Sequence, residues 1–255
     1  MSVFRYSAVT AVVCACLAGG CAKKTPEQAT QAPSTAAAHE SESAPAVSPL
    51  KSSLRKAGMD LGPLQPLEST EQYVAFLERP DRAAWQKPDD VVRALRLTGD
   101  ETVADVGASS GYFTFRFAAA LPRGRVVATD IEPEMIRYIR QKAMTQRIPN
   151  VEPVLASADD PKVPDAADIV FLCDILRRVE DRSVWLLRLH EEMKSGARLV
   201  LIEFKEGDLP EGPPATLKIP RSDLINLVQT AGFALVAEEP DLLPYQLFLV
   251  FRRGV

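Results

Sequence analysis

The sequence predicts an α/β domain, doubly wound about a mostly parallel sheet of seven strands, and three observations carry that prediction. From residue 99 onward, short apolar runs alternate with longer segments of helical period. A turn bounded by Gly107 and Gly111 joins the first apolar run to the helix after it, as a ligand-binding strand-to-helix turn requires. Asp130 closes the second run, at the carboxyl end of a strand, where sheets of this kind bind their ligands.

Taken in order, residues 71–77 and 88–97 read as helices. Pro88 suits a first helical turn, and Asp89 and Asp90 suit its positive end. Residues 102–106 form a strand, 113–121 a helix and 125–131 a second strand. Residues 134–146 form a helix with Met135, Ile136 and Ile139 on one side. Two strands follow, 151–156 and 169–173, with an Asp- and Pro-rich loop between them. The helix over 183–193 stops at Ser195-Gly196 before the strand 198–204. A last helix, 222–231, ends at Gly232, and strands near 234–238 and 246–252 finish the chain.

The segment before this body has a different character. An apolar run from Ala8 to Ala18 is too short to span a bilayer but suits the core of a signal peptide. It ends in Leu17-Ala18-Gly19-Gly20-Cys21, which resembles a bacterial lipobox, although Leu17 stands four residues before the cysteine rather than three. That resemblance implies lipidation at Cys21 and a location in the bacterial cell envelope, anchored to a membrane. Val13-Cys14-Ala15-Cys16 is a competing site, and ordinary secretory cleavage or an uncleaved apolar stub are the alternatives. Residues 22–50 are Ala, Ser, Thr, Pro, Gln and Glu with few large apolar side chains, the composition of a disordered tether. The expected organisation is therefore a signal over 1–21, a tether over 22–50, a helical lead-in over 51–98 and one α/β domain over 99–255.

Composition narrows the function. A net charge of −4 gives no electrostatic reason to expect nucleic acid. Three of the four cysteines precede residue 22, which leaves Cys173 to the body and argues against a disulfide framework or a zinc site. A nicotinamide fingerprint needs glycine at 107, 109 and 112, and Ser109 and Tyr112 fail it.

The run Val103-Ala104-Asp105-Val106-Gly107-Ala108-Ser109-Ser110-Gly111 instead resembles the acidic-x-Gly-x-Gly-x-Gly motif of class I S-adenosylmethionine-dependent methyltransferases. Ser109 stands in place of the middle glycine. Asp130-Ile131-Glu132-Pro133-Glu134-Met135 resembles the second motif of the same family, and Met193-Lys194-Ser195-Gly196 its turn before the fifth strand. The resemblance runs from about Glu78 to Arg252 and is nearest to the type 11, ubiquinone-biosynthesis-like group.

It implies a Rossmann-like methyltransferase fold with S-adenosyl-L-methionine as cofactor. The implied cofactor residues are Asp105, Gly107, Ser109, Gly111, Asp130 and Ile131. Asp130 would accept from the ribose hydroxyls, with a helix cap as its alternative role. Asp159 is placed at the adenine edge because Ser157 fills the usual acidic position; loop solvation is the other reading. The segment Glu78 to Pro88 resembles the lead-in of one bacterial subgroup, which puts Trp85, Gln86 and Lys87 at the methionine end, or else in a capped helix packed by Trp85.

Relatives often carry a His-His pair after the fourth strand, where this chain has Arg177 and Arg178. Arginine is no general base, so the pair either binds an anionic acceptor through its fork of donors or forms a solvated helix face. Asp174 is left to orient a small-molecule acceptor, and Tyr245 to border its pocket or to pack as a core aromatic. Ser109 is expected to fit with negative φ and its side chain turned away from the cofactor. The rival reading is a catalytically inactive methyltransferase-fold lipoprotein that binds a ligand or a protein partner.

Overall fold

A computed structural model describes residues 69–254. Cys21, the signal and tether segments and the start of the lead-in lie outside the described residues.

The elements are α1 (Thr70–Leu77), α2 (Arg82–Gln86), α3 (Pro88–Ala94), β1 (Thr102–Val106), α4 (Thr114–Ala120), β2 (Arg125–Asp130), α5 (Pro133–Thr145), β3 (Val151–Leu155), β4 (Ile169–Cys173), α6 (Arg182–Glu192), β5 (Arg198–Phe204), α7 (Arg221–Thr230), β6 (Phe233–Glu238) and β7 (Gln246–Arg253). Short 3-10 turns cover Leu176–Arg178 and Ala215–Leu217. One seven-stranded sheet has the order β3-β2-β1-β4-β5-β7-β6. It is parallel except that β7 runs antiparallel to both of its neighbours, β5 and β6. The predicted single α/β domain and its seven strands are therefore present, most of them within a residue or two of the expected limits.

Alternation along the strands builds two apolar layers. Ala104, Val170, Leu172, Leu199 and Leu201 turn to one face, where Leu186 and Leu189 of α6 and Leu224 and Val228 of α7 cover them. Val103, Ile169, Phe171, Val200 and Ile202 turn to the other, against Val91 and Leu95 and against Phe113, Phe117 and Leu121. Both faces are dry, so the central strands read as continuous apolar runs rather than as half-buried ones. Pro153, which cannot donate to a ladder, falls in β3 at the sheet edge, where proline is tolerated. His190 meets the Phe233 ring edge-on with centroids 5.0 Å apart, a packing role.

The lead-in departs from the expected pair of helices by adding α2 between them. Lys87, at φ +42°, breaks the path between α2 and α3, and Pro88 begins the new helix. Among the described residues no helix is long and apolar enough to cross a membrane. The strand order reverses between β1 and β4, so the turns after these two strands diverge around a crevice at the carboxyl edge of the sheet.

Candidate functional site

The turn after β1 is set by hydrogen bonds to the end of β2. Gly107 and Ala108 N–H both donate to the Thr129 carbonyl, at 2.8 and 2.9 Å, and Ser109 N–H donates to Asp130 Oδ2 at 2.8 Å. Sending three successive N–H groups to one strand end curls the chain tightly. Gly107, Ser109 and Gly111 accordingly have φ of +72°, +55° and +78°. A Cβ on Gly111 would stand 2.6 Å from the Phe115 ring, so glycine is required there on two counts. For Ser109 this corrects the expectation of a negative φ. The curl imposes the left-handed region, at a cost on the order of 1–2 kcal/mol for a residue with a Cβ.

Asp130 is buried, and each of its oxygens accepts one backbone N–H: Oδ2 from Ser109, and Oδ1 from Glu132 at 2.9 Å. A carboxylate oxygen has two acceptor sites, so each keeps one in reserve. Burial raises the Asp130 pKa against the pull of the two N–H donors. Beside it, Ile131 is 49% exposed, and Leu155, the register partner of Asp130 on β3, is 51% exposed. Two bare apolar side chains flanking a carboxylate with spare acceptor capacity fit the base and ribose of a nucleoside. Asp159 stands further out with its side chain 80% exposed; it accepts from Ser157 Oγ at 2.7 Å, and Arg188 donates to its carbonyl at 2.6 Å.

Asp105 lies under the glycine turn, buried, and accepts from Thr114 Oγ1 at 2.6 Å. Burial pushes its pKa up to about 7, against the Thr114 bond. Arg82 of α2 acts electrostatically on Asp105, Cys173 and Asp174. Its guanidinium lies 3.9 Å from the Tyr112 ring centroid and donates to the Leu77 carbonyl at 2.5 Å and to Gln86 Oε1. Gln86 is buried and donates to Cys173 Sγ and to Gln246 Oε1, both at 3.1 Å. It thus joins an amide network at the ends of β4 and β7, while Lys87 serves as the break between helices. The Tyr245 ring is half-buried, 6.3 Å from Trp85.

The turn after β4 overturns both readings of Arg177. Its side chain is 4% exposed, so it is no solvated face. It grips Asp174 with two parallel bonds, Nε to Oδ1 at 2.5 Å and Nη2 to Oδ2 at 2.8 Å, so that fork is closed to an acceptor. Arg178 donates to Asp174 Oδ2 at 3.2 Å and to its carbonyl at 3.0 Å, with its side chain 30% exposed. Asp174 has φ +60° and is held as a carboxylate. Burial opposes its ionisation, but the Arg177 bonds and the Arg178 charge prevail and keep its pKa below the ordinary range.

Beneath this turn the buried Glu203 of β5 accepts the Leu176 N–H at 2.8 Å. Burial, reinforced by the Asp174 charge, lifts its pKa to about 8. The folded state therefore holds this proton after the unfolded chain has released it. The associated stability is complete below the ordinary glutamate range and is lost as pH rises towards 8. Glu203→Gln should flatten the fall in stability between about pH 5 and 8, read as the pH dependence of urea midpoints. An unchanged slope would show that Glu203 does not cause it.

Tyr73 of α1 completes the cluster. It is 7% exposed, packs with Val74 and Met135, and feels the charges of Arg178, Asp130 and Asp174. Sequence reasoning passed over Tyr73, Arg82 and Glu203. Each looks ordinary in its own element, and no local pattern marks it as part of a site.

The described sheet has a Rossmann-like fold, shared with solved S-adenosylmethionine-dependent methyltransferases. Residues 104–199 match the family model described as "Methyltransferase domain". A ubiquinone/menaquinone biosynthesis C-methyltransferase from Enterobacter sp. (strain 638) is 32% identical over 109 residues, which are 42% of this chain and 43% of that protein. The chain thus spans less than half the length of this curated relative. Among solved structures, a SAM-dependent methyltransferase from Aquifex aeolicus superposes with a TM-score of 0.66 at 21% identity, over 72% of this chain and 97% of that one. Human N-acetylserotonin methyltransferase, solved in complex with SAM, gives 0.58 at 17% identity, over 73% and 57%.

Proposed function

We propose that this protein is an S-adenosyl-L-methionine-dependent methyltransferase acting on a small-molecule acceptor, tethered to a bacterial envelope membrane through Cys21. The observation that carries the enzymatic reading is Asp130: a buried carboxylate with spare acceptor capacity, at the switch point of a methyltransferase-type sheet, bonded to the glycine turn. The curated relative supports the reaction class.

S-adenosyl-L-methionine supplies a methyl group on a sulfonium, open to in-line attack. Asp130 would bind the ribose hydroxyls, Ile131 and Leu155 would flank the base, and the turn from Gly107 to Gly111 would hold the methionine half. Asp105 offers carboxylate character there, adjusted by Arg82. Arg177 locks Asp174 and so fixes the turn that borders the acceptor, leaving the partly exposed Arg178 as the accessible cation. The protein's main contribution is to hold acceptor and methyl carbon in line.

Titration calorimetry of the chain with S-adenosylhomocysteine tests this reading. A one-to-one complex is expected, and absence of heat at millimolar ligand would refute it. The anchor is tested separately: Cys21→Ser should leave the signal unprocessed and shift the protein from the lipid-modified to the unmodified form by mass spectrometry. Normal processing of that variant would exclude lipidation at Cys21.

A further inference from the structure

The end of α5 and the edge strand β3 build a second surface, away from the glycine turn. Past the end of α5, Arg147 N–H donates to the Met144 carbonyl at 3.1 Å and Ile148 N–H to the Ala143 carbonyl at 2.9 Å. Arg147 has the left-handed φ of +55° that this pair of closing bonds needs. The chain therefore folds back at Arg147 and enters β3 alongside the helix it has just left. Positions 140, 144 and 147 follow helical spacing and fall to one flank of α5. Between that flank and β3 lies a cavity of about 340 Å³. Met144, Ile148, Val151 and Pro153 are its apolar lining, and Arg140 and Arg147 also wall it.

This surface is amphiphilic. Met144 is 74% exposed, although Met135 and Met193 are buried. Arg140 and Arg147 are exposed, and neither side chain has an acidic or hydrogen-bonding partner among the described residues. The acids of α5 and β3, Glu134 and Glu152, are paired instead with Arg137 and Arg125. In a chain of net charge −4, these two cations are a local exception that calls for an anion. The bare methionine between them calls for an apolar phase. Pro153 brings no N–H to the sheet edge, which opposes addition of a strand from a protein partner. Phosphates above an apolar layer, the surface of an anionic bilayer, match both demands.

We infer that this flank of α5 and the amino end of β3 dock on a bilayer of anionic phospholipid, with Met144 entering the interface and Arg140 and Arg147 meeting the phosphates. The inference deepens the envelope-anchor reading and rests on it for the nearness of a membrane, while the docking surface itself belongs to the folded domain. Asp130 stands at the opposite, carboxyl end of the strands, so a docked chain keeps its crevice open to water.

Oxidation of Met144 by hydrogen peroxide, read by peptide mass spectrometry on the full chain, tests the docking. The buried Met135 and Met193 serve as internal references. An excess of phosphatidylglycerol vesicles should slow Met144 oxidation by about threefold or more, and phosphatidylcholine vesicles should leave it unchanged. Each arginine near an anionic surface strengthens partitioning by about fivefold. The double variant Arg140→Gln/Arg147→Gln should therefore oxidise in phosphatidylglycerol as the parent does in phosphatidylcholine. Salt at about 0.5 M should remove the protection of the parent. No protection by phosphatidylglycerol, equal protection by both lipids, or protection retained in the double variant would overturn the inference. So would protection by monomeric dodecanoate with none by vesicles, which would assign the cavity to a free anionic amphiphile. Flotation with phosphatidylcholine vesicles reads the anchor by itself, because acyl chains at Cys21 need no anionic headgroup. If the chain fails to float, the anchor reading falls, while Met144 oxidation in excess phosphatidylglycerol still decides the docking.

Discussion

Arg177→Ala is expected to destabilise the fold by about 3–5 kcal/mol, the usual cost of removing one partner from a buried ion pair. The side chain removed is 4% exposed and makes both parallel bonds to the Asp174 carboxylate. The pair spans three residues of one turn, yet the turn cannot simply open. Asp174 is held by its own N–H to the Ile202 carbonyl at 2.8 Å, and Leu176 by Glu203. Without Arg177 the carboxylate is left with Arg178 and with Glu203 nearby, so its pKa should move up. The sign of the pH response then reverses. In the parent, the depressed Asp174 adds stability above the ordinary aspartate range that is lost as pH falls. In the variant, acid should stabilise, because protonation relieves a poorly matched buried charge. Urea unfolding at several pH values checks both magnitude and sign. A loss below about 1 kcal/mol would mark the pair as no stronger than a surface contact.

Asp130→Ala should weaken S-adenosylhomocysteine binding by about 1.5–3 kcal/mol, the range for hydrogen bonds to a charged group. Expressed as affinity, that is roughly one to two powers of ten. The structure adds a second consequence, because the same carboxylate accepts the Ser109 and Glu132 N–H groups. Alanine leaves both donors without it and loosens the glycine turn. Asn at 130 retains an acceptor for one of them but turns an amide donor towards the other, so Asp130→Asn should bind worse than the parent as well. Calorimetry of folded variants, checked by circular dichroism, makes the comparison. Parental affinity in Asp130→Ala would remove this residue from the cofactor site.

The elements of the sheet were legible because their signals are local. Continuous apolar runs such as 198–204 and the helical stripe of Met135, Ile136 and Ile139 need only near neighbours to be recognised. The strand-to-helix turn was legible for the same reason: Gly107 and Gly111 mark positions where a left-handed backbone is needed. Ser109 was misread because composition reports the cost of a Cβ but not the curl that imposes it. Arg177 was misread because two adjacent arginines on a short polar turn look the same whether they face water or a buried carboxylate. Asp159 was put at the adenine edge on position after β3, and the loop there carries its side chain outward, 80% exposed.

By itself, then, the sequence determined the α/β class, the seven strands, the strand-end placement of Asp105 and Asp130, and the turn that carries the glycines. Tertiary structure decided which residues converge on that turn. Tyr73 and Arg82 come from the lead-in, Asp174 and Arg177 from the turn after β4, and Glu203 from β5; they meet because parallel strands deliver their carboxyl ends to one edge and the lead-in crosses it. Backbone conformation is dictated over a few residues and leaves a periodic trace. Contacts between residues tens of positions apart leave none, because the partners are joined only when the sheet assembles.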